Sequence, residues 1–160
     1  MAAFEYRQAL EIRDALRQHG VRYLFIGKSG AILLGYPDTT QDADLFVEKS
    51  SANCAALVEA LLELGFSFSG EQAQEIRRGK DFVQLKNGPF DLDLIFAPDG
   101  IENFEDAWRR RTDVEGFPVC SIDDIVDSKI AANRQKDKES LPRLLSFRDW
   151  LKQQRPPGRD

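Results

Sequence analysis

The apolar residues of this chain follow helical spacing in some segments and strand spacing in others. Residues 4–19 place Ala9, Ile12 and Leu16 on one helical stripe, and Gly20 supplies a stop behind it. The same spacing, or a capping signal such as Ser121-x-x-Asp124, predicts the other helices. These lie at residues 29–35, 51–64, 102–111, from Ser121 onward, and 139–152.

Between the helices, runs of β-branched and aromatic residues predict strands, as does the alternation of Asp42, Asp44 and Phe46 with Ala43, Leu45 and Val47. Their positions are residues 21–26, 42–48, 81–86, 90–96 and 117–121. Asn87-Gly88 is a strong short turn signal and predicts that the third and fourth strands form a hairpin. Because helices and strands alternate before this hairpin, we predict an α/β (α+β) fold. It would be a mixed sheet of about four to five strands covered by helices, with further helices at the C-terminus.

The domain organisation is simple. We find no internal repeat and no break in composition, so residues 1–152 are predicted to form a single domain. Residues 153–160 are expected to be a flexible tail. Pro142 is expected in the first turn of the last helix, where its missing N–H matters least.

Composition excludes several classes of protein. The chain has 160 residues, and its 27 carboxylates against 22 Lys and Arg give a net charge of −5, which disfavours an extended grip on DNA or RNA. The single histidine, His19, makes a histidine-rich zinc site or a Ser-His-Asp triad unexpected. Cys54 and Cys120 are too few and too far apart for a disulfide framework. With neither a secretion signal nor a membrane-length apolar run, we expect a cytoplasmic protein without a membrane partner.

Two predicted strands carry acidic pairs, Asp42-Ala-Asp44 and Asp91-Leu-Asp93. The i, i+2 spacing places both carboxylates of each pair on one face of a strand, where aspartate is normally depleted. If the two strands are neighbours, the carboxylates repel one another unless cations lie between them. Oxygen ligands without His or Cys suit Mg²⁺ or Mn²⁺. The alternative is a solvent-facing strand whose aspartates pair with nearby Lys or Arg.

Gly27-Lys28-Ser29 follows the first predicted strand. A P-loop would need a glycine five residues earlier, but Arg22 stands there, so we reject that motif. What remains is a tight turn into a helix, whose backbone N–H groups, with Ser29 and Lys28, could hold an anion. The alternative is an ordinary strand-to-helix turn capped by serine.

Together these features resemble the nucleotidyltransferase superfamily that includes DNA polymerase β. More narrowly, FIGKSGAILLGYPDTTQDADLFV and SIDDIVDSKIAANRQKD resemble compact bacterial nucleotidyltransferase-like domains related to AbiEii-type toxins. The resemblance implies that Asp42 and Asp44 bind two Mg²⁺ or Mn²⁺ ions and that Asp93, rather than Asp91, is the third catalytic carboxylate. It also implies nucleotide contacts, which would come from Gly27, Lys28, Ser29 and Lys129, with Asp137 a weaker match.

The activity implied is transfer of a nucleoside monophosphate from ATP or another NTP to a hydroxyl group. The acceptor could be tRNA, a protein or a small molecule, and the kinship with toxins implies a possible antitoxin partner. Lys28 and Asp38 depart from the pattern of these domains. Lys28 stands where they usually carry Gly or Ser, and Asp38 stands where many carry arginine. The alternative is therefore a catalytically silent module that binds nucleotide or protein. A glycosyltransferase with an Asp-x-Asp metal site is a weaker third hypothesis, because the chain looks too short for that fold.

Overall fold

A computed structural model describes residues 4–154 of the chain. Within that range there are seven helices and six strands. The helices are α1 (Tyr6–Gln18), α2 (Gly27–Leu33), α3 (Ser51–Glu63), α4 (Gly70–Arg77), α5 (Phe104–Arg110), α6 (Ile122–Ala132) and α7 (Gln135–Gln153). The strands are β1 (Tyr23–Phe25), β2 (Asp42–Val47), β3 (Phe82–Leu85), β4 (Asp91–Ile95), β5 (Thr112–Val114) and β6 (Phe117–Val119).

All the strands join one mixed sheet in the order β3-β4-β2-β1-β6-β5. The pairs β2–β4 and β1–β6 are parallel, and the other neighbours are antiparallel. The mixed α/β class is confirmed, but the predicted number of four to five strands is wrong, because β5 was not anticipated. That strand has three residues without apolar alternation. It pairs with β6 across Glu115-Gly116, which both have the positive φ of a type I′ turn.

Two helical predictions also need correction. Helix α4 was not anticipated because it buries only Ile76, so it shows no apolar stripe, although Ser69 and Gln72 form a capping box at its start. Helix α7 begins at Gln135 rather than at 139, because the Arg134–Asp137 cap starts it one turn earlier. Pro142 therefore lies inside α7, and the prediction of a first-turn proline is wrong.

The β3–β4 hairpin forms as predicted, but its connection is longer than a two-residue turn. Leu85 pairs with Leu92, so residues 86–91 lie between the paired positions. Gly88 is needed there for space, because a Cβ would lie only 2.2 Å from the ring of Phe66. The hairpin thus packs closely against the chain segment that follows α3.

The helices form two groups around the sheet. Helices α1, α3 and α4 contact one another in series, as do α2, α6 and α7. The core between the sheet and the helices contains Phe25, Phe46 and Phe117, all fully buried. In α6, Ile122, Ile125 and Val126 are buried, whereas Ile130 is exposed. The second group of helices and the open face of β2 and β4 enclose a cleft.

None of the helices between residues 4 and 154 is long and apolar enough to cross a membrane. The single-domain boundary at residue 152 stays a prediction. Of the predicted tail, Gln153 belongs to α7 and residues 155–160 lie outside the described range.

Candidate active site

The two acidic strand segments lie side by side. Because β2 and β4 are parallel and in register, Asp44 lies opposite Asp93 and Asp42 lies opposite Asp91. Asp42, Asp44 and Asp93 line a cleft of about 970 Å³, whereas Asp91 is not among its lining residues. The structure thus brings together the three carboxylates that the sequence singled out, and separates Asp93 from Asp91.

Asp44 and Asp93 interact strongly. Burial raises the pKa of Asp44 to about 8, and the charge and hydrogen bond of Asp93 and the charge of Asp42 add to this shift. Burial also raises the pKa of Asp93, and the negative charge of Asp42 contributes again. Two desolvated carboxylates on paired positions of adjacent strands are unfavourable when both are charged, so in the absence of a cation the pair holds a proton near neutral pH.

The carboxylates have the chemistry of a site for a hard divalent cation. Asp93 Oδ1 is buried and has no hydrogen-bond partner among the described residues, which leaves it available as a ligand. Carboxylate oxygens are the ligands that Mg²⁺ and Mn²⁺ prefer. As the side chains stand, however, no group of three or more His, Cys, Asp or Glu in residues 4–154 is arranged to hold a metal ion. The donor set fits, and the carboxylates would have to close around an ion.

The turn after β1 fixes the position of Asp44. The Ile26 N–H donates to the Asp44 carbonyl (3.0 Å), and the Asp44 N–H donates to Ser29 Oγ (2.9 Å). Ser29 Oγ in turn donates to the carbonyl of Ile26 (3.1 Å), and Ser29 is 2% exposed. The hydroxyl that was expected to hold a triphosphate therefore locks β2 to the turn, and Ser29 is not among the residues that line the cleft.

Gly27 lets the Asp44 carboxylate approach this turn. Its φ is +63°, and a Cβ at this position would lie 2.7 Å from Asp44 Oδ2. The sequence assigned Gly27 to a nucleotide, but its contact with Asp44 was not anticipated. The alternation of polar and apolar residues in β2 gives no information on how closely the turn at Gly27 approaches that strand.

Lys28 and Asp38, the two residues that depart from the family pattern, form an ion pair with each other. Lys28 lines the cleft, and its Nζ lies 3.0 Å from Asp38 Oδ2. Asp38 also accepts the N–H of Thr39 (2.8 Å) and lies 3.7 Å from Arg143 Nη1. The Thr39 hydrogen bond and the Lys28 ammonium lower the pKa of Asp38. The negative charge of Asp38, which stands where many of the related domains carry arginine, is therefore balanced by nearby cations.

A second group of charges faces the carboxylates from the corner between α6 and α7. Lys129, predicted to lie near a nucleotide, lines the cleft, as does Arg134. Both pair with Asp137, which is 1% exposed. The positive charge of Lys129 opposes the rise in the pKa of Asp44. The burial of Asp137, which holds Arg134 at the cleft, leaves no periodic signal in the sequence.

The basic cluster at residues 109–111 does not form a free cationic surface. Each arginine pairs with a nearby acid; the pairs are Arg109–Asp106, Arg110–Asp124 and Arg111–Asp113. The remaining candidates are structural too: His19 pairs with Glu63, and Cys54 and Cys120 are buried. Burial raises the pKa of Cys120, so its thiol is unreactive.

No protein-family model matches the sequence, and no curated protein matches it either. Solved structures do match. The lincomycin-bound lincosamide antibiotic adenylyltransferase LnuA superposes with a TM-score of 0.66 at 14% identity, over 91% of this chain and 99% of that one. A Thermotoga maritima protein described as a nucleotidyltransferase gives a TM-score of 0.52 at 16% identity, over 92% of each chain. The narrower relation to AbiEii-type toxins stays a prediction. At these identities the shared property is the fold, and this chain has the nucleotidyltransferase fold.

Proposed function

We propose that this protein transfers a nucleoside monophosphate from an NTP to a hydroxyl group of an acceptor. The observation that carries the proposal is the parallel register of β2 and β4, which sets Asp42, Asp44 and Asp93 in one cleft. Lys28 and Lys129 line the same cleft and supply positive charge for a triphosphate. The fold shared with an adenylyltransferase supports the same class of reaction.

The residues of the chain have distinct parts in this reaction. Asp93 accepts the proton of the acceptor hydroxyl and so acts as a general base. The acceptor oxygen attacks the α-phosphorus, so that a new P–O bond forms there. The bond from the α-phosphorus to the bridging oxygen of the β-phosphate breaks, and pyrophosphate leaves with its electron pair. Lys28 and Lys129 offset the negative charge that this leaving group carries.

Asp42, Asp44 and Asp93 are the residues that would hold the divalent cations. Two Mg²⁺ or Mn²⁺ ions, when bound, neutralise phosphate charge and polarise the α-phosphate. Two features support this assignment: Asp93 Oδ1 is buried and has no hydrogen-bond partner within residues 4–154, and all the donor atoms are oxygens. Gly27 and Ser29 keep Asp44 in place beside the turn.

For the acceptor we propose a small hydroxyl-bearing molecule. Lincomycin, the molecule bound to the structural neighbour, is a precedent for this class. The arginines at residues 109–111 are paired with acids, so they provide no ready surface for a polynucleotide. A tRNA or protein acceptor and an antitoxin partner stay predictions without support from the charges of the site.

The proposal is tested by following two labels. The protein is incubated with Mg²⁺ and each NTP, labelled at the α- or the γ-phosphate, together with small-molecule, RNA and protein fractions of cells. We expect the α-label to move to a small acceptor and the γ-label to appear in pyrophosphate. Asp42→Asn and Asp44→Asn should abolish both, while Asp91→Asn, outside the cleft lining, should retain them. Absence of α-label from every fraction would reject nucleotidyl transfer.

A second candidate is a catalytically silent module that binds nucleotide. The Lys28–Asp38 ion pair and the internal bonds of the Ser29 hydroxyl favour it, because both engage groups that could otherwise contact phosphate. This candidate predicts binding of Mg·NTP in calorimetry without transfer of label. The two candidates therefore differ in one measurable outcome.

A further inference from the structure

The corner between α6 and α7 holds a buried carboxylate with two cations. Lys129 lies in the last turn of α6, and Arg134 is the N-cap of α7. Asn133 ends α6 in the left-handed conformation (φ 51°, ψ 34°), which asparagine tolerates better than most residues. Because only residues 133–134 separate the helices, this bend sets the two cations beside each other.

Asp137 fixes both cations in place. Its side chain accepts from Arg134 Nε (2.7 Å), Arg134 Nη2 (3.3 Å) and Lys129 Nζ (3.4 Å), and it also accepts the backbone N–H of Arg134 (3.2 Å). A carboxylate that is 1% exposed is stable as an anion only with such partners. These hydrogen bonds and the positive charges of Arg134 and Lys129 hold the pKa of Asp137 below its usual range, although burial opposes them. One anion thus holds two cations, which leaves a net positive charge at the corner.

The geometry of Arg134 leaves part of its guanidinium available. Asp137 engages Nε and Nη2, and no hydrogen bond within residues 4–154 uses Nη1. The side chain of Arg134 is 59% exposed and lines the cleft. Arg134 and the carboxylates Asp42, Asp44 and Asp93 line the same cleft. The hydrogen bond to Asp137 is the main cause that raises the pKa of Arg134, and the negative charge of Asp44 also contributes.

We infer that Arg134 contacts the β- and γ-phosphates of the NTP and that Asp137 is a positioning residue, which aims Arg134 and Lys129 at them. The inference rests on the proposed function and adds a residue that recognises the leaving group. A planar guanidinium with a fixed orientation suits phosphate oxygens, and it arrives already held, so little side-chain entropy is lost on binding. The corner therefore selects triphosphates over monophosphates.

Calorimetry with Mg·ATP, Mg·ADP and AMP tests this inference. We expect Arg134→Gln to lower the affinity for Mg·ATP at least tenfold while the affinity for AMP changes less than twofold. Asp137→Asn should reduce the same ATP-to-AMP preference, because Asn can still accept a backbone N–H but no longer holds the cations. Arg134→Lys should restore part of the preference. The control is Arg148→Gln, which removes a cation of α7 that pairs with Asp123 outside the cleft lining.

The outcomes separate the two proposals. If wild-type protein binds no Mg·NTP, the proposed function fails. If wild-type protein binds Mg·ATP and Arg134→Gln keeps the wild-type ATP-to-AMP preference, the role of the corner is overturned. Circular dichroism checks the fold of each variant. If Asp137→Asn unfolds, the ratio of the affinities for Mg·ATP and AMP is measured in Arg134→Gln and Lys129→Met instead, and a ratio unchanged from wild type overturns the inference.

Discussion

Replacing Gly27 by alanine should damage the site more than it damages the fold. Gly27 has a φ of +63°, and an added Cβ would lie 2.7 Å from Asp44 Oδ2. The substitution therefore introduces two separate perturbations. One is backbone strain at a positive φ, and the other is displacement of the Asp44 carboxylate.

The structure gives a magnitude for each perturbation. A positive φ costs an alanine about 1–2 kcal/mol, and each kcal/mol lowers the Tm of a domain of this size by about 2–4 °C. The Tm of Gly27→Ala should therefore fall by roughly 2–8 °C. To restore an ordinary contact of 3.4 Å, the carboxylate of Asp44 must retreat by about 0.7 Å. Misplacement on the order of 1 Å can lower a rate about 100-fold, so we expect label transfer to fall about 10- to 100-fold.

Gly20→Ala is the matched control. Gly20 has a φ of +69°, and nothing lies within 4 Å of the position of its Cβ. It should therefore lose similar stability in thermal denaturation but keep transfer of the α-label. If the two variants transfer label equally well, Gly27 does not set the position of Asp44 and the argument for the turn is refuted.

Three further predictions concern the groups around the turn. In metal-free protein the free energy of unfolding should fall as the pH rises from about 4 to about 8, because the folded chain binds a proton at Asp44 that the unfolded chain has released. Urea denaturation in EDTA should show this slope, and Asp44→Asn should remove most of it. Ser29→Ala leaves the part-buried N–H of Asp44 without its acceptor. It should lower the free energy of unfolding, measured by urea denaturation, by about 1–3 kcal/mol. Lys28→Met should weaken Mg·ATP binding a few-fold in calorimetry. Asp38→Asn should strengthen it, because Asp38 competes with phosphate for Lys28. If both substitutions change the affinity for Mg·ATP in the same direction, this competition does not occur.

The sequence could predict those parts of the fold that have a periodic or capped signal. Strand β2 was predicted because polar and apolar residues alternate along it, and α6 because Ser121 caps it. Strand β5 and helix α4 bury too little to produce such a pattern, and their turn and cap signals are short. The early start of α7 depends on the ion pair between Arg134 and the buried Asp137, which no hydrophobic pattern encodes.

The candidate site also has a part that the sequence could predict and a part that it could not. Each Asp-x-Asp pair could be placed on one face of its strand, because spacing along a strand fixes which face a side chain takes. That the two strands are neighbours was only a condition in the sequence analysis, and the structure supplies it. Which of Asp91 and Asp93 enters the cleft depends on the strand register and the shape of the cleft. The inward turn of the Ser29 hydroxyl and the Lys28–Asp38 pair arise from contacts between distant segments, which only the folded chain brings together.

The most direct test of the site is a crystal structure with Mn²⁺ and a non-hydrolysable ATP analogue. The account predicts anomalous density for Mn²⁺ between Asp42, Asp44 and Asp93, with the phosphates beside Lys129 and the turn at Gly27. Manganese bound elsewhere, or nucleotide bound away from these carboxylates, would contradict the central claim.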